Sequence, residues 1–234
     1  METERISVII PVLNEVGTIK NALAPILQAV GVEAIVVDGG SQDGTVELVK
    51  SLGVTVINSV PGRANQMNAG ARAVTGEILL FLHADTYLPL GFEALVRNTL
   101  NQRSAIAGAF ELRIDGSMWG LRLVERMVNW RSRYLQMPYG DQAIFLRAEV
   151  FRKLGGFPEI PLMEDFELMR RLKRQGQIAI APFPVLTSGR RWKELGVLAT
   201  TAINQIAIAA YLLGVPPERI ARWYRGFGSK KSRH

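Results

Sequence analysis

Residues 34–45 read AIVVDGGSQDGT, and the order of side chains in that stretch decides the fold. A short apolar run, Ala34 to Val37, ends on the carboxylate Asp38 and passes through Gly39, Gly40 and Gly44 into Thr45, where a helical pattern begins. An unbroken apolar run of strand length suits a strand buried on both faces, because neither side of its pleat meets water. The glycines let the backbone turn tightly and approach a ligand, while Asp43 or Thr45 suits a cap on the next helix. The same pattern recurs on both sides. Ile6 to Ile10, Val54 to Ile57 and Ile78 to Leu82 are further apolar runs, and Val16 to Val30, Thr45 to Leu52 and Ala64 to Val74 lie between the runs with helical length and pattern. Strands alternating with helices make βαβ units, so the first half reads as a doubly wound, mostly parallel α/β sheet.

After residue 100 the alternation loosens into a strand at Ala105 to Ile114, a helix at Met118 to Arg133 and a strand at Ala143 to Leu146. A further helix opens at Met163-Glu164-Asp165, with apolar positions Phe166, Met169 and Leu172 at helical spacing. Leu195 to Leu213 is almost wholly apolar, and its polar residues Thr200, Thr201, Asn204 and Gln205 fall on one narrow stripe. A buried or interface-lying helix is favoured there over a transmembrane span.

At 234 residues with 48% hydrophobic content the chain can bury a substantial core as one domain, and no repeat or composition break divides it. The absence of cysteine excludes a disulfide framework, a thiolate zinc site and a cysteine nucleophile. The start, Met1-Glu2-Thr3-Glu4, is acidic and the apolar run after it breaks at Pro11, which is not a signal-peptide layout and leads to a cytoplasmic expectation. The net charge of +7 gathers towards Arg222, Arg225, Lys230, Lys231 and Arg233. By charge alone that tail suits nucleic acid, an anionic membrane face or a nucleotide diphosphate, and a plain solvated surface equally well.

In open α/β sheets, ligands collect beyond the carboxyl ends of the strands. Polar residues follow three of the runs: Pro11-Val12-Leu13-Asn14-Glu15, Asp38 to Thr45, and His83-Ala84-Asp85-Thr86. Asp38, at a strand's last position, can accept hydrogen bonds from a base or ribose. Asp85 suits magnesium or manganese, which takes oxygens from one or two carboxylates and fills its other positions with diphosphate; His83 reads as a second ligand or a structural histidine. Glu164 and Asp165 open a helix, where acids are dipole-compatible caps or, in a cleft, a general base for a hydroxyl. Arg190 and Arg191, followed by Trp192, carry guanidinium forks that match diphosphate oxygens, or anchor the next helix at an interface.

Taken in order, PVLNE (11–15), VVDGGSQDGT (36–45), GRANQMNAG (62–70), HADT (83–86), GDQAIF (140–145), MEDFE (163–167) and SGRRW (188–192) resemble glycosyltransferase family 2. The resemblance runs over about residues 5–192 and points to its small single-domain bacterial members. It implies the inverting GT-A fold: a Rossmann-like α/β sheet with C-terminal helices. The nucleotide-binding half would be about 1–100, the acceptor and catalytic half about 101–192, and a helical extension about 193–234. It implies that Pro11, Asn14, Glu15, Asp38 and Arg63 contact the nucleotide, and that Asp85 is the final acid of the metal element. Asp165 would be the base, with Glu164 beside it, and Gly140-Asp141-Gln142 would lie by the donor sugar and acceptor. Arg190, Arg191 and Trp192 would face the diphosphate. His83 replaces the first acid of the metal element, and Ser188 replaces a glutamine before Arg191-Trp192.

The implied cofactor is a divalent ion, Mg2+ or Mn2+. The implied partners are a UDP- or GDP-sugar and a hydroxyl acceptor of lipid or isoprenoid type, with no nucleic acid. Peripheral contact with the inner membrane face through the C-terminal helix and basic tail, and a homodimer, belong to the same expectation. The competing readings are a sugar nucleotidyltransferase, whose glycine- and lysine-rich signature is missing, and a catalytically degenerate module that binds nucleotide or membrane.

Overall fold

The computed structural model describes residues 4–227, so the part of the basic tail formed by Lys230, Lys231 and Arg233 lies outside the described residues. The first half runs β1 (Ile6–Val12), α1 (Ile19–Leu27), β2 (Val32–Asp38), α2 (Thr45–Ser51), β3 (Thr55–Asn58), α3 (Arg63–Ala73), β4 (Ile78–Phe81), β5 (Thr86–Tyr87) and α4 (Phe92–Leu100). It continues through β6 (Ala105–Ile114), α5 (Trp119–Leu135), a 3-10 turn at Gly140–Gln142, β7 (Phe145–Arg147) and α6 (Ala148–Lys153). The last elements are α7 (Glu164–Lys173), β8 (Gln177–Thr187), α8 (Arg190–Leu195), α9 (Val197–Leu212) and α10 (Pro217–Gly226).

All the strands join one sheet in the order β3-β2-β1-β4-β7-β6-β8-β5. β3, β2, β1 and β4 are parallel neighbours, β7 runs antiparallel between β4 and β6, and β8 returns parallel to β6. Pleating divides the apolar runs between two cores. From β1 and β4, Ile6, Val8, Ile10, Ile78 and Leu80 face a core with Leu23 of α1, Val49 of α2 and Phe92 of α4. Ile9, Leu79 and Phe81 face the opposite core with Met67 of α3, Phe151 of α6 and Leu168 of α7. Each fully buried Ile or Leu contributes roughly 1.5–3 kcal/mol relative to exposure, which is why both faces of these strands are apolar.

Element boundaries move by a few residues. The helix expected from Val16 starts at Ile19, because the amides of Thr18 and Ile19 both donate to the Glu15 carbonyl and form a turn first. The apolar segment 195–213 is broken at Gly196 (φ 86°), leaving α9 as a 16-residue rod. At 1.5 Å per residue that is about 24 Å, short of the roughly 30 Å hydrocarbon layer. No helix among the described residues is long and apolar enough to cross a membrane. The polar stripe turns inward in part: buried Thr200 donates to the Arg191 carbonyl (3.3 Å), and the Asn204 side chain accepts from the Tyr224 hydroxyl of α10 (2.8 Å). Gln205 is exposed, and so are Leu198, Ile206, Leu212 and Leu213. α9 therefore is not a buried helix; it lies on the surface with much of its apolar side outward.

Candidate active site

The strand ends place the first two motifs side by side because β1 and β2 are parallel neighbours, with Val12 opposite Asp38. Their loops are stitched together. Asn14, held at φ 57°, accepts from the Gln42 amide (2.8 Å), and its own amide donates to Ser41 Oγ (2.9 Å). The Glu15 amide donates to Thr45 Oγ1 (2.9 Å) and the Val16 amide to Asp43 (3.1 Å). Asp43 also accepts from the amide and hydroxyl of Thr45, and that hydroxyl chiefly holds its carboxyl below the usual range. Asp43 and Thr45 thus serve as turn and bridge. Asp38 is buried and accepts from the amides of Gly40 (2.9 Å) and Ser41 (3.1 Å), so its carboxylate shapes its own loop. Pro11 sits half-buried on β1 opposite Val37, and the Glu15 carboxylate accepts from Thr18 (2.8 Å).

Beneath these loops lies Gln66 of α3, a residue not singled out from the sequence. Its buried amide donates to the carbonyls of Val12 and Val37, each at 2.8 Å, clamping the ends of β1 and β2. The close approach of α3 makes this reach possible: a Cβ on Gly70 would stand 2.4 Å from Ile9. Asn68, on the same helix, pairs both ways with the backbone of Phe157 and fixes the segment before α7. Two buried amides on an otherwise Ala- and Met-rich face were the available signal, since an amide is buried where it has partners.

Opposite the loops, the N-terminus of α7 meets the end of β4. Asp165 accepts from the Gly140 amide through Oδ2 (2.7 Å) and from the Phe166 amide through Oδ1 (2.7 Å). Gly140 is pressed between this carboxylate and His83; a Cβ there would lie 3.2 Å from Asp165 Oδ2 and 2.9 Å from His83 Nε2. His83, Arg63, Gly140 and Asp165 line one small pocket. Arg63 pairs with the buried Glu164 at 3.4 Å. Desolvation in the cleft opposes the charge of Arg63, although solvent reaches half its side chain, and Glu164 and Asp165 outweigh it and hold the guanidinium above its ordinary value. Burial raises the Glu164 carboxyl, with Arg63 acting against it. Glu164 is thus turned to Arg63, whereas Asp165 faces Gly140 and His83.

Burial and the nearby Arg63 charge push His83 down to about 3, so its imidazole is neutral near pH 7. Burial likewise raises Asp141 to about 6, Arg131 acting against it and Asp165 with it, and its Oδ1 is buried without a partner among the described residues. Asp85 lies close enough to add its charge to the field around Arg63. No three His, Asp or Glu side chains cluster as a closed metal cage among the described residues. A carboxylate with a neutral imidazole nevertheless fits a divalent ion that completes its shell with diphosphate oxygens.

The arginine segment is brought to Asp85 by the sheet edge. β5 pairs antiparallel with the end of β8, Thr86 and Thr187 bond through their hydroxyls (3.0 Å), and the Ser188 amide donates to the Asp85 carbonyl (3.0 Å). Arg191 then stacks over the Tyr224 ring, 3.9 Å from its centroid, while Arg190 is exposed. Tyr224, whose hydroxyl is raised by burial with Arg191 and Arg63 acting against it, brings α10 to the site and was not foreseen. Trp192 packs on the core beneath, its indole N–H buried without a partner among the described residues.

Gln142 is fully buried, donates to the Phe110 carbonyl (2.8 Å) and accepts from Ser132 (2.8 Å), so it supports the Gly140 turn from behind. Arg131, stacked 3.5 Å from the Tyr139 centroid, completes that support.

Acids and arginines gathered beyond the carboxyl ends of parallel strands, with C-terminal helices packed alongside, are the arrangement of a GT-A glycosyltransferase fold. The chain belongs to glycosyl transferase family 2, whose profile matches residues 7–155, more than half of the chain. No curated protein matches the sequence. Among solved structures, it is similar to glucosyl-3-phosphoglycerate synthase from Mycobacterium tuberculosis in complex with Mn2+ and UDP-glucose. That likeness has a TM-score of 0.66 and 22% identity over 91% of this chain and 80% of the other. The mannosyltransferase PcManGT from Pyrobaculum calidifontis, in complex with GDP-Man and Mn2+, gives a TM-score of 0.62 and 23% identity over 79% of this chain. S. aureus TarS 1–349 in complex with UDP gives 0.62 and 17% over the same share. The chain spans 56% of the mannosyltransferase and 60% of that TarS chain.

Proposed function

We propose that the chain, acting as one domain, transfers a sugar from a UDP- or GDP-linked donor to a hydroxyl acceptor with inversion at the anomeric carbon. The observation that carries this reading is the meeting of Asp165, Gly140 and His83, with Arg63, Asp85 and Arg191 on the surrounding wall. In the proposed reaction Asp165 takes the proton of the acceptor hydroxyl, the freed oxygen bonds to the anomeric carbon, and the bond to the diphosphate oxygen breaks. Its amide bonds fix the direction in which Asp165 presents the remaining lone pairs, which is how positioning lowers the barrier. Arg191 and Arg63 balance charge that develops on the nucleoside diphosphate.

Asp85 and His83 would hold a divalent ion, magnesium or manganese, and such an ion supplies Lewis-acid stabilisation of the leaving diphosphate. The neutral state of His83 is what ligation requires, and solved neighbours carry Mn2+ beside GDP-Man or UDP-glucose. The reading extends to a lipid or isoprenoid acceptor, to a cytoplasmic, peripheral setting and to a homodimer. Asp165→Asn tests the base: acceptor-dependent release of nucleoside diphosphate should fall by at least about 1,000-fold, within the range general bases contribute. Nucleotide affinity, measured by calorimetric titration of UDP and GDP with and without manganese, should stay near that of the parent. Undiminished turnover removes Asp165 from the role.

A further inference from the structure

α5 carries a second pattern that the catalytic reading does not use. Trp119, Leu123, Met127, Trp130 and Tyr134 recur at i, i+4, i+8, i+11 and i+15, which places them on one helical face, and that face meets solvent. Trp119 is 86% exposed and Tyr134 72%. The opposite side of the helix is anchored: Leu121 is buried, Asn129 pairs both ways with the backbone of Leu112, and Glu125 accepts from the Ile114 amide. The stripe is thus presented outward by a helix that cannot rotate it inward.

α9 runs beside α5 in the same direction. At one end a Cβ on Gly120 would lie 3.0 Å from Val197, and at the other Met137 and Leu212 line one groove. The exposed Leu198, Ile206 and Leu212 of α9 extend the apolar face. The same groove carries Arg170, Lys173 and Arg174. Arg126 is exposed within the α5 stripe and makes no ion pair among the described residues, while Arg133 beside it is paired with Glu111. The acids near the other end are taken up, Glu125 by Arg122 (2.9 Å) and Asp115 by Lys193 (3.9 Å).

We infer that the α5–α9 face docks on an anionic lipid surface, with the tryptophans and Tyr134 at headgroup depth and Arg126 against a lipid phosphate. Aromatics with an apolar body and polar edge, interleaved with arginine, match that boundary. A second copy of the chain fits less well. A two-fold contact across this stripe sets Arg126 near its own equivalent, whereas lipid phosphates satisfy both cations. Phe166, next to Asp165, lines the same groove, so docking sets the acceptor side of the site towards the lipid. Only that last consequence rests on the proposed transfer reaction.

The test uses the full chain and sedimentation with vesicles of phosphatidylcholine alone or mixed equally with phosphatidylglycerol. Binding is expected to the mixed vesicles at about 0.1 M salt and to weaken at about 0.5 M. A Trp119→Ser/Trp130→Ser double variant and, separately, Arg126→Glu should each lose about tenfold in vesicle affinity, with far-ultraviolet circular dichroism and UDP or GDP affinity unchanged. The two variants separate apolar insertion from charge. No binding by the parent, or undiminished binding by the double variant, overturns the inference. So does a dimer that the double variant dissociates in light scattering without any parental vesicle binding. Failure of sugar transfer with vesicle binding intact rejects the catalytic reading and leaves this one standing.

Discussion

Replacing Gln66 probes whether the cleft is held open from below, and the structure supplies the arithmetic. Its amide makes two buried hydrogen bonds of 2.8 Å, to Val12 and Val37. Each is worth about 1 kcal/mol net, and a buried carbonyl left without a donor costs about 1–3 kcal/mol. The Val12 carbonyl keeps the Gly39 amide (3.0 Å), so the loss is less than the full sum. Gln66→Leu should therefore destabilise by about 2–4 kcal/mol, read from urea unfolding at pH 7. Gln66→Glu should cost more at that pH, because a carboxylate turns two acceptors against a third. Its folded pKa would then lie above the unfolded value near 4.3. The native state holds that proton more tightly, so the variant's stability is greatest below about pH 4 and is lost as pH rises through the folded pKa. The gap between the Glu and Leu variants should close between about pH 7 and pH 4. A leucine variant within 1 kcal/mol of the parent, or a gap independent of pH, refutes the clamp.

Gly140→Ala puts a methyl 2.9 Å from His83 Nε2 and 3.2 Å from Asp165 Oδ2, so kcat/KM should fall about 10–100-fold while the thermal midpoint barely moves. Asp141, raised from 3.8 to about 6, binds its proton more tightly when folded; stability falls as pH rises through that window, and Asp141→Asn should flatten the fall, measured by urea unfolding across pH 4–7. Gly189→Ala would set a Cβ 2.0 Å from the Asp115 carbonyl, where only backbone can yield, and should cost about 2–3 kcal/mol in stability while weakening nucleotide binding in a calorimetric titration.

The strands easiest to read were those buried on both faces. Ile6 to Ile10 and Ile78 to Leu82 are apolar throughout because each face has its own core, and a continuous run survives small errors in its ends. β8 is the longest strand among the described residues, yet its sequence lacks a strand pattern. It contains Pro182 and Pro184, which lack the donors a strand needs, and the register against β6 shifts between Phe110 and Glu111 to accommodate the irregularity. β5 is two residues long, too short for any pattern. In the candidate site, Asp85 is legible because it follows a strand end that topology delivers to the rim, whereas Arg63, Asp165 and Arg191 arrive there in the first turns of helices α3, α7 and α8. Whether a polar side chain faces the cleft or the scaffold depends on its rotamer and neighbours. Asp38 bonds its own loop, and Gln142 and Gln66 hold backbone carbonyls; adjacent positions in one motif took opposite directions for reasons no spacing carries.

The bond between β5 and β8 joins residues 101 positions apart at the sheet's outermost edge, and among the described residues β5 has no strand beyond it. Because Asp85 precedes one partner and Ser188 follows the other, this single seam ties the loop of the acid to the arginine segment. Under the proposed transfer reaction, loosening the seam would slacken both flanks of the diphosphate site together.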